Sequence, residues 1–133
     1  MAPDSQTATT VFYPWTARYA KLIALFLSYG AIVHIGNVAG VTGTPWLSTP
    51  LLWRLMDIAL LLFNAIAAIA LWKELSWSAA FVISGIVLLQ FVPYTLLRDR
   101  FIFEPKDAQT LNSLLGTEAI LLLIFIALLL LKK

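Results

Sequence analysis

PLLWRLMDIALLLFNAIAAIALW, residues 50–72, is apolar and long enough to cross a lipid bilayer as an α-helix, for which about 20 residues suffice. It also carries Arg54, Asp57 and Asn64. Hydrocarbon tolerates such groups only where they face a bundle interior or a polar cavity. A stretch with both properties sets the fold class: an all-α integral membrane protein whose helices hide polar groups between them.

The bulk composition agrees. Of 133 residues, 61% are hydrophobic and only 12% charged, and mean hydropathy is +0.89. A soluble domain is nearer half apolar and a quarter charged. The length predicts a single domain over 1–133. The net charge of +2 does not point to nucleic acid, because the nine Lys/Arg are scattered at helix ends and form no basic stripe. The chain has no cysteine, so disulfides, thiolate metal sites and cysteine nucleophiles are excluded. With one histidine, a bis-histidine haem or a multi-histidine metal site cannot be built within one chain.

Upstream of the opening stretch, residues 1–11 form a Ser/Thr-rich tail expected to be flexible. Helix one is predicted over 14–40. Pro14 suits its first position, and Trp15 and Tyr19 suit a belt at headgroup level. The tail has no basic n-region and no small-x-small cleavage site follows the apolar run, so this helix is expected to be retained. The loop VTGTPWLSTP ends in Thr49-Pro50, a hydroxyl cap followed by a proline that starts helix two, 50–72. Lys73-Glu74-Leu75-Ser76 is a tight connection into helix three, 77–98, where Pro93 is expected to kink or unwind the chain. After a polar connection whose Phe101 and Ile102 are expected at the interface, Asp107 caps helix four, 108–131.

Four spans make an antiparallel four-transmembrane-helix bundle with both termini at one end, here called Y. The opposite end, with the two longer loops, is X. Arg18, Lys21, Lys73, Lys132 and Lys133 lie at Y against Arg98, Arg100 and Lys106 at X. That bias predicts both termini cytoplasmic, and the near-absence of loops and tails suggests an inner membrane of bacterial type.

The polar residues fall at one depth. His34 and Asn37 are late in helix one, Arg54 and Asp57 early in helix two, and Asn64 is deeper. Gln90 and Tyr94 are late in helix three, and Glu118 is early in helix four. All lie in the X half. Asp57 and Asn64, seven residues apart, sit within about 20° of each other around a helix. His34/Asn37 and Gln90/Tyr94 share faces by i, i+3 and i, i+4 spacing. Each helix therefore has one polar stripe, and the stripes converge. Arg54 is expected either to pair with Asp57, or with Glu118 across the bundle, or to reach out to the headgroups. Charge balance among two acids, one arginine and one imidazole then comes from a proton on His34 or from a neutral Glu118. Such clusters also serve simply to fix helix register, at about 0.6 kcal/mol per interhelical hydrogen bond. Trp46 and Trp53 read as belt anchors.

Three functions are consistent with this layout. The first is a non-catalytic subunit of a larger membrane assembly, bound to a membrane-protein partner or to copies of itself. The second is a binding or transport protein with a polar pocket in the X half, on the periplasmic side. The third is a haem- or quinone-associated anchor subunit using His34. No serine, metal or carboxylate-dyad signature of an enzyme is present. No metal or resident cofactor is expected, and the lipid bilayer is the one partner that composition alone requires. The size and four-span layout are similar to those of several groups of small bacterial membrane proteins, the DoxX-like ones among them. That likeness is one of architecture, and no functional residue is carried over from it.

Overall fold

The computed structural model describes residues 11–41 and 45–133. The predicted tail, apart from Val11, and residues 42–44 of the first loop lie outside the described residues. Four helices are each long and apolar enough to cross a membrane: α1 (Pro14–Ala39), α2 (Leu51–Trp72), α3 (Ser78–Leu96) and α4 (Pro105–Leu131). The described residues hold no strand.

Local chemistry explains each boundary. α1 ends because Gly40 adopts the left-handed conformation, with φ 79°. Its N–H bonds Asn37 O and the Val41 N–H bonds Gly36 O, the two hydrogen bonds of a Schellman motif. The Gly36/Gly40 pair thus terminates the helix. At the start of α2 the prediction needs correcting. Thr49 does not cap; its hydroxyl donates to Pro45 O (3.1 Å), closing a short 3-10 turn (Trp46–Ser48), and Pro50 occupies the cap position. α4 also starts three residues earlier than predicted. Glu104 is its cap and Pro105 its first residue, and Asp107 accepts from Phe103 N (2.9 Å) and Glu104 N (3.0 Å) in a capping box. Replacing Asp107 with Ala frees both N–H groups and is expected to destabilise this helix start by about 1 kcal/mol. Hydrogen exchange would show faster exchange over residues 103–108 and no change in α1.

α3 is not a regular helix. Between Ser78–Ile86 and Val92–Leu96 the segment Val87–Phe91 is π-helical. Pro93 follows directly; it has no N–H and its ring crowds the carbonyl four residues back, so an α-turn cannot close there. The wider turn lets the Val92 N–H reach Val87 O instead. The buried residues of α3 are Ser78, Val82, Ile86, Gln90 and Tyr94, a strict four-residue repeat. In a regular α-helix that repeat drifts about 40° per step, so Tyr94 would lie about 160° around from Ser78. The widened turn takes part of this drift back and keeps Gln90 and Tyr94 on the inward side.

The Y end is packed shut. Ala20, Ile23, Ala24 and Leu27 of α1 meet Phe63, Ala67 and Leu71 of α2, Val82 of α3, and Leu122 and Phe125 of α4. Hydrogen bonds tie α1 to α4 here: Trp15 N to Lys133 O (2.7 Å), Thr16 Oγ1 to Leu128 O (3.3 Å) and Tyr19 Oη to Leu121 O (2.9 Å). Lys21 pairs with Glu74 at 2.7 Å across to the α2–α3 turn. Gly85 lies under the Phe63 ring so closely that a β-carbon would overlap it.

The X end is built differently. The polar connection folds back as one helical turn (Arg98–Phe101), held by Arg98 bonding Ala108 O (3.2 Å) and Asn112 Oδ1 (2.7 Å) of α4. Phe101 is thereby buried rather than interfacial. It meets Tyr94 and Trp53 edge-on, with ring centroids 5.0 and 5.3 Å apart. Trp53 is therefore an inward residue, not a belt anchor; what draws it in is the apolar area of two aromatic neighbours.

Candidate functional site

Between the packed Y end and the X-side turns the helices line a cavity of about 770 Å³. This lies within the range of small-ligand sites, roughly 300–1,000 Å³. Of the eight residues predicted to converge, His34, Asn37, Asp57, Asn64, Gln90, Tyr94 and Glu118 all line it. Arg54 does not.

Asp57 is the hub. It is buried, and its Oδ1 is 2.7 Å from His34 Nδ1 and accepts from Asn37 Nδ2 at 2.8 Å. Against a carboxylate oxygen the imidazole nitrogen is the donor, so Nδ1 carries the proton and Nε2 is left for other partners. The i, i+3 spacing of His34 and Asn37 on α1 presents both donors to one oxygen of α2.

The predicted pairing of Arg54 with Asp57 or Glu118 is not found. Arg54 makes no ion pair among the described residues, and its Nε is buried without a hydrogen-bond partner. Three residues along an α-helix is 300°, so Arg54 lies about 60° around α2 from Asp57. Asp57 points to α1, where two cross-helix donors already take it.

Deeper in the cavity are Asn64 and Glu118. Asn64 is seated on Gly30: its Nδ2 is 2.7 Å from where a β-carbon of that residue would be. In sequence Gly30 shows only a weak GxxxG-like spacing with His34; its value lies in this contact. Glu118 is thirteen residues after Pro105 in a helix of 27, hence at the middle of α4 rather than early in it. Gln90, from the π-helical segment, hydrogen-bonds its side chain. Two atoms at this depth have no partner: Asn64 Oδ1 and Glu118 Oε1. Both belong to side chains at least nine-tenths buried, 5% and 9% exposed. Tyr94, against Trp53, is within electrostatic reach of both carboxylates.

The arrangement is chemically lopsided. Its two unpartnered interior atoms are both acceptors, and no Lys or Arg lines it at that depth. Among the described residues no group of three His, Asp or Glu side chains converges to hold a metal ion. The chain matches no protein-family model, no curated protein and no solved structure.

Proposed function

We propose that this chain is a membrane-embedded binding or transport protein: an antiparallel four-helix bundle whose X-side cavity takes a small amphipathic ligand. The single observation that carries this reading is the pair of unpartnered, buried acceptors, Asn64 Oδ1 and Glu118 Oε1, on side chains that line a ligand-sized space. An orphaned buried polar atom costs about 1–3 kcal/mol. A cluster that served only to hold helices in register would close over these atoms and satisfy them. A ligand satisfies them instead. The antiparallel arrangement is supported by the contacts of α1, whose start lies against the end of α4 and whose end lies against the start of α2. The Lys/Arg bias places the mouth of the cavity on the side opposite the cytoplasm.

The reading is tested by native mass spectrometry of the protein released from mild detergent. Wild type is expected to carry a small-molecule adduct, and Val33→Trp, which fills the cavity from α1, is expected to lose it. A wild-type spectrum free of any adduct that the variant also lacks would count against a ligand-binding role, and in favour of a subunit whose polar groups are structural.

A further inference from the structure

The binding reading leaves open which chemistry the ligand carries and how it arrives. Two features of the cavity bear on this independently: the sign of its charge and the place where its wall is missing.

At membrane depth the cavity presents two carboxyl groups, Asp57 and Glu118. The imidazole of His34 is already engaged by Asp57 at 2.7 Å. The nearest lining cation, Lys106, stands at the mouth and pairs with Glu104 at 3.2 Å. The unpartnered atoms, Glu118 Oε1 and the uncharged Asn64 Oδ1, are both acceptors. What such a site lacks is a donor with positive charge. Trp53 and Tyr94 add aromatic faces, which attract a desolvated cation.

The wall is missing between α1 and α4. Every hydrogen bond that joins these helices among the described residues lies at the Y side, the last being Tyr19 to Leu121. Towards X, Phe26 and Tyr29 line the cavity yet are 49% and 69% exposed. Thr117 of α4 is likewise exposed and lines the same cavity. Next to it Gly116 has nothing within 4 Å of where a β-carbon would sit. These residues lie well inside the membrane-crossing parts of both helices, so the cavity opens sideways towards lipid.

Resting on the binding reading above, we infer that the ligand is a cationic amphiphile, a protonated alkyl amine. Its ammonium lies among Asp57, Asn64 and Glu118, and its tail leaves between α1 and α4 into the membrane. An ammonium supplies three N–H donors, enough for Asn64 Oδ1 and Glu118 Oε1, which have none, and its charge is matched by the carboxyl groups. A neutral alcohol of the same length supplies one donor and no charge.

The test uses the full chain in phosphatidylcholine nanodiscs with two photoreactive probes, a diazirine-bearing dodecylamine and the matching dodecanol. The amine is expected to label peptides around Phe26–Tyr29 and residues 114–121 about tenfold more than the alcohol, the factor that 1.4 kcal/mol of preference gives. Unlabelled dodecylamine is expected to compete. Asp57→Asn with Glu118→Gln is expected to abolish the preference; Glu118→Gln alone serves where the double variant does not assemble by gel filtration. Thr117→Trp, which fills the lateral gap, is expected to slow labelling severalfold. Equal labelling of the cavity by both probes would overturn the cation assignment while leaving ligand binding intact. Labelling of outward lipid-facing residues alone would overturn both. Undiminished labelling of Thr117→Trp would overturn the lateral route.

Discussion

Gly85→Leu is expected to be the most destabilising single substitution in the spanning helices, and Gly85→Ala to follow it. The Phe63 ring of α2 occupies the space where either side chain must begin. Phe63 is itself 5% exposed and packed against Phe81, with ring centroids 5.2 Å apart, so it has no free direction in which to turn. α2 and α3 must then separate, and the close packing of the Y half is lost with them. Overpacking of this kind costs about 1–3 kcal/mol per site, with the leucine at the upper end or beyond. Unfolding by sodium dodecyl sulfate titration, followed by circular dichroism, would measure it. Phe63→Leu in the Gly85→Ala background should recover part of the loss, because the two sites share one contact. Wild-type unfolding of Gly85→Ala would mean that α2 and α3 do not meet at this point.

The second large effect concerns Asp57. Removing its side chain with Asp57→Ala leaves His34 Nδ1 and Asn37 Nδ2 without the oxygen they share. Both donors are half-buried, so losing the shared oxygen is expected to cost about 1 kcal/mol, the low end of the penalty for an unsatisfied group, against about 0.6 kcal/mol for an average interhelical hydrogen bond in membranes. Asp57→Asn keeps an acceptor oxygen in the same place and is expected to unfold nearer to wild type than Asp57→Ala. Both variants remove the carboxylate, and both are expected to lose the cationic probe. Stability and binding thus separate in Asp57→Asn and fall together in Asp57→Ala. Full binding by Asp57→Asn would make the carboxylate a packing group only.

These two residues were not equally visible in the sequence. Asp57 stands out because an acid within an apolar run has few places to go. The same logic located His34, Asn37, Asn64, Gln90, Tyr94 and Glu118, and each lines the cavity. The four spans were visible for the same reason, since twenty consecutive apolar residues have one common solution in lipid. What escaped was everything that depends on one helix's register against another. Gly85 and Gly30 look like ordinary glycines until Phe63 and Asn64 are placed upon them. Arg54 looked like Asp57's partner because i, i+3 spacing says nothing of the donors that α1 brings to the other side. Trp53 looked like a belt residue because the chain's return through Phe101 is a tertiary event. A cavity and a plug have the same stripes. They differ in how far α1 and α4 stand apart, which no local pattern encodes.

The π-helical segment of α3 has a consequence that concerns residue count rather than residue type. Ser78, Val82, Ile86, Gln90 and Tyr94 keep one side only because Val87–Phe91 holds a residue more than an α-turn needs. Hydropathy is indifferent to that extra residue; angular phase is not. Loss of one position within the segment would let it close as an ordinary α-turn; Tyr94 would then follow Ile86 by seven residues and stay within about 20° of the same face. Gain of one position would swing Tyr94 and the rest of the inner half about 100° away from Asp57 and Glu118, with length and hydrophobic character in lipid unchanged. Side-chain exchanges on the outer face of this segment leave that phase untouched, so the segment is permissive to substitution and to a single deletion and intolerant of insertion.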